Sequence, residues 1–291
     1  MFVIKLSALA NQALNFALSF ITMIKPQIIS LFFLTSFAAC NQPNQDLTGT
    51  KETQQIPEQE QQLRNAIASF PDSAALRNKL IDYYEENGDY QSAIRENDVL
   101  ITKYPTYAGL LDAKARLHFL HADTMGAIQA FEKAIQLSYN PEYLISQGTL
   151  LAQTRQPRCL DVADSLVKNF GESAILQALF IKGLYHTHTG DKQKAIAFFD
   201  ECIRNSYSFL DAYREKAIAQ YDMGKYLDAT KTLELQLALN QTNEEAHYWQ
   251  GRCFEKLNQK EAAIRSYKMA LQFDANYTDA KDALARLGEK P

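Results

Sequence analysis

GRCFEKLNQKEAAIRSYKMAL, residues 251–271, sets three kinds of residue at fixed distances: a glycine at 251, an alanine at 263 and a large aromatic, Tyr267, one helical turn further on. Asn258 stands between the two halves, and asparagine and glycine are the residues that most readily take a left-handed backbone. The apolar spacing on either side is helical. The stretch therefore predicts two antiparallel helices, A and B, whose axes come close where the side chains are small. Stepping back from Ala263 by 34 residues gives Ala229, Ala195, Asp161, Ala127 and Ala93. Four residues after these anchors lie Tyr267, Leu233, Phe199, Ser165, Phe131 and Asn97, and twelve before them lie Gly251, Ala217, Gly183, Thr149, Ala115 and Ile81. The turn position, five before each anchor, reads Asn258, Gly224, Gly190, Gln156, Ala122 and Gly88. Three coupled positions keeping phase over six periods mark an array of repeats.

This pattern resembles the tetratricopeptide repeat. The resemblance implies an all-α fold: a right-handed superhelical solenoid of about six helical hairpins with capping helices at both ends. By phase the repeats fall near 74–107, 108–141, 142–175, 176–209, 210–243 and 244–277. Residues 57–70 read as a leading B helix and 278–288 as a trailing A helix, which together cap a solenoid over 57–288. In the close A–B contact, Ala195 is expected to face Gly183. The third repeat departs most, with Asp161 and Ser165 where alanine and an aromatic belong and Pro157 at the start of its B helix, a position that tolerates proline.

In this family, A-helix positions 2, 5, 9, 12 and 13 line the inner face. Carried over by phase, that face holds Tyr143, Leu150, Phe180, Leu184, Ile218, Tyr221 and Tyr248, with Arg214 and Arg252 among them and Arg116 and Phe119 on the N-terminal side. Aromatics with arginine are enriched at binding hot spots. The family's basic clamp for a partner's terminal carboxylate is absent: position 5 reads Asn78, Asp112, Ser146, Phe180, Arg214 and Tyr248.

No phosphate loop, GxSxG, HExxH or paired CxxC is present. His118 and His121 are three residues apart on one helix, but no motif supplies a third ligand, so no metal site, cofactor or catalytic residue is expected. Cys159, Cys202 and Cys253 fall on predicted helices as small buried side chains.

The first 39 residues contain Lys5 and Lys25 and no acid, so all 34 acidic residues lie beyond them. The mildly acidic body gives no electrostatic reason to bind nucleic acid. Read from Met23, MIKPQIISLFFLTSFAAC has a short basic start, an apolar core and two small residues before Cys40. It resembles a bacterial lipoprotein signal, with Ala38 and Ala39 fitting the pattern and Phe37 departing from its usual leucine. The resemblance implies a signal segment at 1–39 and lipid on Cys40, with 1–22 an upstream extension. Residues 40–56 are polar and aperiodic, a flexible tether. The expectation is a membrane-anchored adaptor in the cell envelope, at the outer membrane facing the periplasm. It would bind a protein or peptide partner in its groove and touch the membrane through lipid alone. The alternative is a surface lipoprotein that binds a nutrient or glycan.

Overall fold

A computed structural model describes residues 56–290, and among these every regular element is helical. The stretch expected to form one stack divides into two compact units between His121 and Ala122, inside the second repeat.

The first unit holds α1 (Glu58–Ser69), α2 (Ala74–Glu86), α3 (Tyr90–Lys103) and α4 (Ala108–Leu120). Ser73 and Asp89 cap α2 and α3 by accepting the amides of Leu76 and Ser92 at 3.3 and 3.0 Å, which satisfies donors that the first helical turn cannot. Leu80, Ile81, Tyr83, Tyr84, Ala93, Ile94, Leu100 and Leu117 form its core, with Leu63 and Ile67 of α1 laid against it. Asn97 occupies an aromatic position, and its buried amide donates to the Leu110 carbonyl at 2.9 Å instead of filling space. Tyr84 bonds Arg64 and Glu60, each at 2.6 Å, so α1 is held by polar contacts as well as by packing. Burial and the Glu60 carboxylate push the Tyr84 phenol up to about 12.

The second unit runs through α5 (Thr124–Leu137), α6 (Pro141–Gln153), α7 (Arg158–Phe170), α8 (Ile175–Thr189), α9 (Lys192–Asn205), α10 (Leu210–Asp222), α11 (Tyr226–Leu239), α12 (Glu244–Lys256), α13 (Lys260–Phe273) and α14 (Thr278–Arg286). The pairs α6/α7, α8/α9, α10/α11 and α12/α13 are the A and B helices of successive hairpins. In two of them a glycine lies against a ring. A methyl group at Gly183 would lie 2.5 Å from the Phe199 ring, and one at Gly251 would lie 2.6 Å from Tyr267. The atoms nearest Gly183 are therefore those of the Phe199 ring, where the spacing suggested Ala195, which is itself fully buried. At the C-terminal end α14 lays Ala280, Ala283 and Leu284 over Ala263, Tyr267 and Ala270.

In the third repeat the phase slips. Gly148, one position before the expected Thr149, leaves room for Ile181 of α8 and Val162 of α7, which an added methyl would meet at 2.8 and 3.2 Å; Thr149 is buried beside it. The left-handed turn residue is Arg155 and not Gln156. Asp161 is exposed, and α7 buries Cys159, Val162, Ala163 and Leu166 instead. The cause is local. Pro157 caps α7 in a helical conformation, and the amides of Cys159 and Leu160 bond the carbonyls of Gln156 and Pro157, three residues back. That tighter first turn presents a different stripe of α7 to the core.

Candidate partner-binding face

The inner positions expected to form one groove belong to both units. Arg116 and Phe119 lie on α4 in the first, where Arg116 pairs with Glu85 and Phe119 is half-buried. The other nine lie in the second unit, on the A helices α6, α8, α10 and α12.

Within that unit, α6 packs directly along α8, whereas α8 and α10, and α10 and α12, touch at few positions. This difference decides which side chains are open. Leu150 and Leu184 are buried, and Phe180 is only 1% exposed. The Phe180 ring lies 5.7 Å from that of Phe199 and 5.2 Å, edge-on, from that of Phe209 in the α9–α10 link. These three residues were expected to face an open groove. They are core: α6 lies along α8, and Phe199 and Phe209 enclose the Phe180 ring. Tyr143, at the start of α6, stays half-buried.

On α10 and α12 most inner positions keep some surface in solvent: Ile218, Tyr221, Tyr248 and Arg252 are half-buried. The Arg252 guanidinium lies over Trp249 at 4.5 Å, Tyr221 at 4.7 Å and Tyr248 at 5.9 Å, and it donates to the Tyr221 hydroxyl at 3.3 Å. Such stacking holds a guanidinium in place while leaving most of its donors unused, and among the described residues no carboxylate pairs with Arg252. Tyr248 also meets Tyr277 at 5.3 Å and Tyr267 at 5.7 Å. Trp249 lies one position off the inner-face pattern and so was missed; being the single tryptophan of the chain and adjoining Tyr248, it carried a signal.

Arg214 is different. It is buried, and it bonds Asp211 at 3.1 Å, Glu215 at 3.1 Å and Glu245 at 3.2 Å. It ties α10 to α12 and is not offered to a partner. Burial works against its charge, but Glu245, Glu215 and Asp211 together hold it above the ordinary arginine range. Burial raises all three carboxylates, an effect that one shared arginine only partly offsets. Asp211 and Glu245 occupy the same A-helix position one repeat apart, which is the trace this network leaves in the sequence.

Cys159, Cys202 and Cys253 are buried free thiols, pushed up by burial to about 11, 12 and 11. That favours the unreactive thiol over the thiolate. Among the described residues no helix is long and apolar enough to cross a membrane. Cys40, the expected lipid site, and the segments 1–39 and 40–55 lie outside them.

Tetratricopeptide repeat models match residues 60–108 and 214–281 and residues 176–208. No curated protein gives a significant match. A tetratricopeptide repeat protein from Parabacteroides merdae is similar in structure, with a TM-score of 0.63 and 17% identity over 79% of this chain and 91% of that one. The type IV pilus biogenesis factor PilW aligns with a TM-score of 0.55 and 15% identity, over 73% of this chain and 100% of its own. A thermophilic tetratricopeptide protein of Thermus thermophilus aligns with a TM-score of 0.52 and 14% identity, over 62% of this chain and 98% of its own. At these identities the structures speak for the fold. The repeat models account for more than half of the chain, and every regular element among the described residues is helical: the chain belongs to the tetratricopeptide repeat family.

Proposed function

We propose that this protein is an interaction scaffold that binds a segment of another protein against α10 and α12, and that lipid on Cys40 holds it to a membrane of the cell envelope. Tetratricopeptide repeats support protein–protein interaction as the general role. The observation that carries the finer reading is the half-buried cluster of Tyr221, Tyr248, Trp249 and Arg252. It offers flat apolar surface beside an oriented guanidinium that has donors to spare. A partner segment suited to it presents a carboxylate next to an aromatic or aliphatic anchor, which combines bidentate pairing with burial of the anchor. No step of this reading calls for catalysis.

The test is crosslinking and pull-down from membranes, followed by affinity measurement with the partner recovered. Trp249→Ala and Arg252→Ala should each weaken binding by about 2 kcal/mol, roughly thirtyfold, if they are hot spots. A partner bound equally well by both variants would place the site elsewhere, and saturable binding of an oligosaccharide with no stoichiometric protein would favour the glycan reading. The anchor is tested separately: Cys40→Ala should leave the membrane fraction or accumulate as uncleaved precursor. Unchanged fractionation with no lipid found by mass spectrometry would remove the anchor and leave the scaffold reading standing.

A further inference from the structure

α11 differs from the B helices on either side of it in the repeat order. Its inward residues do what the repeat requires, with Ala229 and Leu233 fully buried. Its outward residues depart from those of α9 throughout and from those of α13 in part. One repeat before, α9 carries Gln193, Glu201 and Asn205, and one repeat after, α13 carries Glu261, Met269 and Phe273; at the corresponding positions α11 carries Leu227, Leu235 and Leu239. Leu227, Leu235 and Leu239 are 61%, 60% and 44% exposed. With Lys231 they form a single stripe at four-residue steps, flanked by Asp228 and Glu234. Among the described residues Asp228, Lys231 and Glu234 make no ion pair. Nothing in the repeat's own packing calls for these leucines.

We propose that this face of α11 is a self-association surface, on which a second copy of the chain lays its own α11 antiparallel about a two-fold axis near Leu233. A two-fold axis brings a patch against itself, so the patch must be self-complementary. Antiparallel pairing about Leu233 sets Leu227 across from the partner's Leu239. It sets the aliphatic stem of Lys231 across from the partner's Leu235, with the ammonium in reach of the partner's Glu234. A parallel pairing would instead oppose Lys231 with the partner's Lys231, which like charge disfavours. A lipid surface fits less well, since Asp228 and Glu234 border the leucines on both sides. One helical face is small beside the roughly 1,200 Å² that stable interfaces bury, so association should be weak and depend on concentration. The inference does not rest on the partner site of α10 and α12.

The experiment is sedimentation velocity of the full chain in mild detergent from about 1 to 100 µM, a range chosen for a weak interface. The wild type should shift from monomer to dimer. Leu235→Glu should weaken the dimer at least tenfold, and Lys231→Glu should also weaken it by placing two acids together. Lys231→Glu combined with Glu234→Lys should restore it, because the swapped charges again meet their opposites. Circular dichroism should show all three variants folded, as the side chains point outward. A chain that stays monomeric, a dimer untouched by Leu235→Glu, or a double variant that fails to recover would each overturn the proposal. Loss of vesicle co-sedimentation by a monomeric Leu235→Glu variant would also overturn it, by assigning the face to lipid.

Discussion

The seam between α6 and α8 and the seam between α10 and α12 occupy the same place in the repeat, yet one is closed and the other open. In the first, Leu150, Phe180 and Leu184 are all buried. In the second, Tyr221, Tyr248 and Arg252 keep part of their surface in solvent, and a charged cluster bridges the helices where the first seam has an apolar one. An inner-face position in a repeat is thus an address and not yet an environment. Whether it is open or packed depends on the neighbouring A helices and on the side chains that close over it from B helices and links.

The largest effect that separates the two seams is expected from truncating the closed one. Phe180→Ala removes a ring that Phe199 and Phe209 enclose and should cost about 4 kcal/mol of stability in denaturant titration. Partner affinity per folded molecule should stay unchanged. A variant that remained as stable as wild type and lost binding would show that the first seam opens in solution, and the contrast would collapse.

Arg214→Met probes the charged bridge of the open seam. It leaves Asp211, Glu215 and Glu245 buried without their shared cation, and should cost about 3 kcal/mol at neutral pH. The carboxylates supply the matching pH test. Their folded values are raised, so their contribution to stability is present below the ordinary carboxylate range near 4 and is lost as pH rises through the raised values. Comparing melting temperature at pH 7 and pH 5, Glu215→Gln should remove part of that dependence and gain on the wild type at pH 7. If Glu215→Gln and the wild type respond alike to pH, the cluster is not under the strain described.

Gly183→Ala asks how tightly α8 sits on its own B helix, which sets the stage for its contact with α6. The added methyl meets the Phe199 ring at 2.5 Å, and the overpacking should cost about 2 kcal/mol. Gly251→Ala, against Tyr267 at 2.6 Å, should cost a similar amount in the open half. Unequal losses would trace the difference between the seams to the hairpins themselves.

The smallest effect concerns the slipped turn beside the closed seam. Arg155 holds φ at 61°, a conformation that costs a side chain about 1 kcal/mol. Arg155→Gly should therefore raise stability by no more than about 0.5 kcal/mol after the flexibility gained by the unfolded chain is set against the relieved strain. A loss of stability would mean that the arginine side chain helps hold the third repeat in its altered phase.

Residues close together in sequence carried their own instructions. The 34-residue spacing set Gly183 with Phe199, and Gly251 with Tyr267, in one hairpin each and with them the helices, turns and order of the repeats, although it set Ala195 and not the ring of Phe199 against Gly183. The same logic failed in the third repeat for an equally local reason, since Pro157 tightened the start of α7 and moved its buried stripe. The fate of the inner positions was not legible. Phe180 is core because Phe209, beyond the next helix, closes over it and because α6 lies along α8; Arg214 is buried because Glu245, a full repeat away, completes its shell. Spacing along the chain reports which residues share a helix face. How closely two A helices approach, and which side chains from elsewhere close over a position, are outcomes of the packing of the whole unit, and together they separate an open inner position from a buried one.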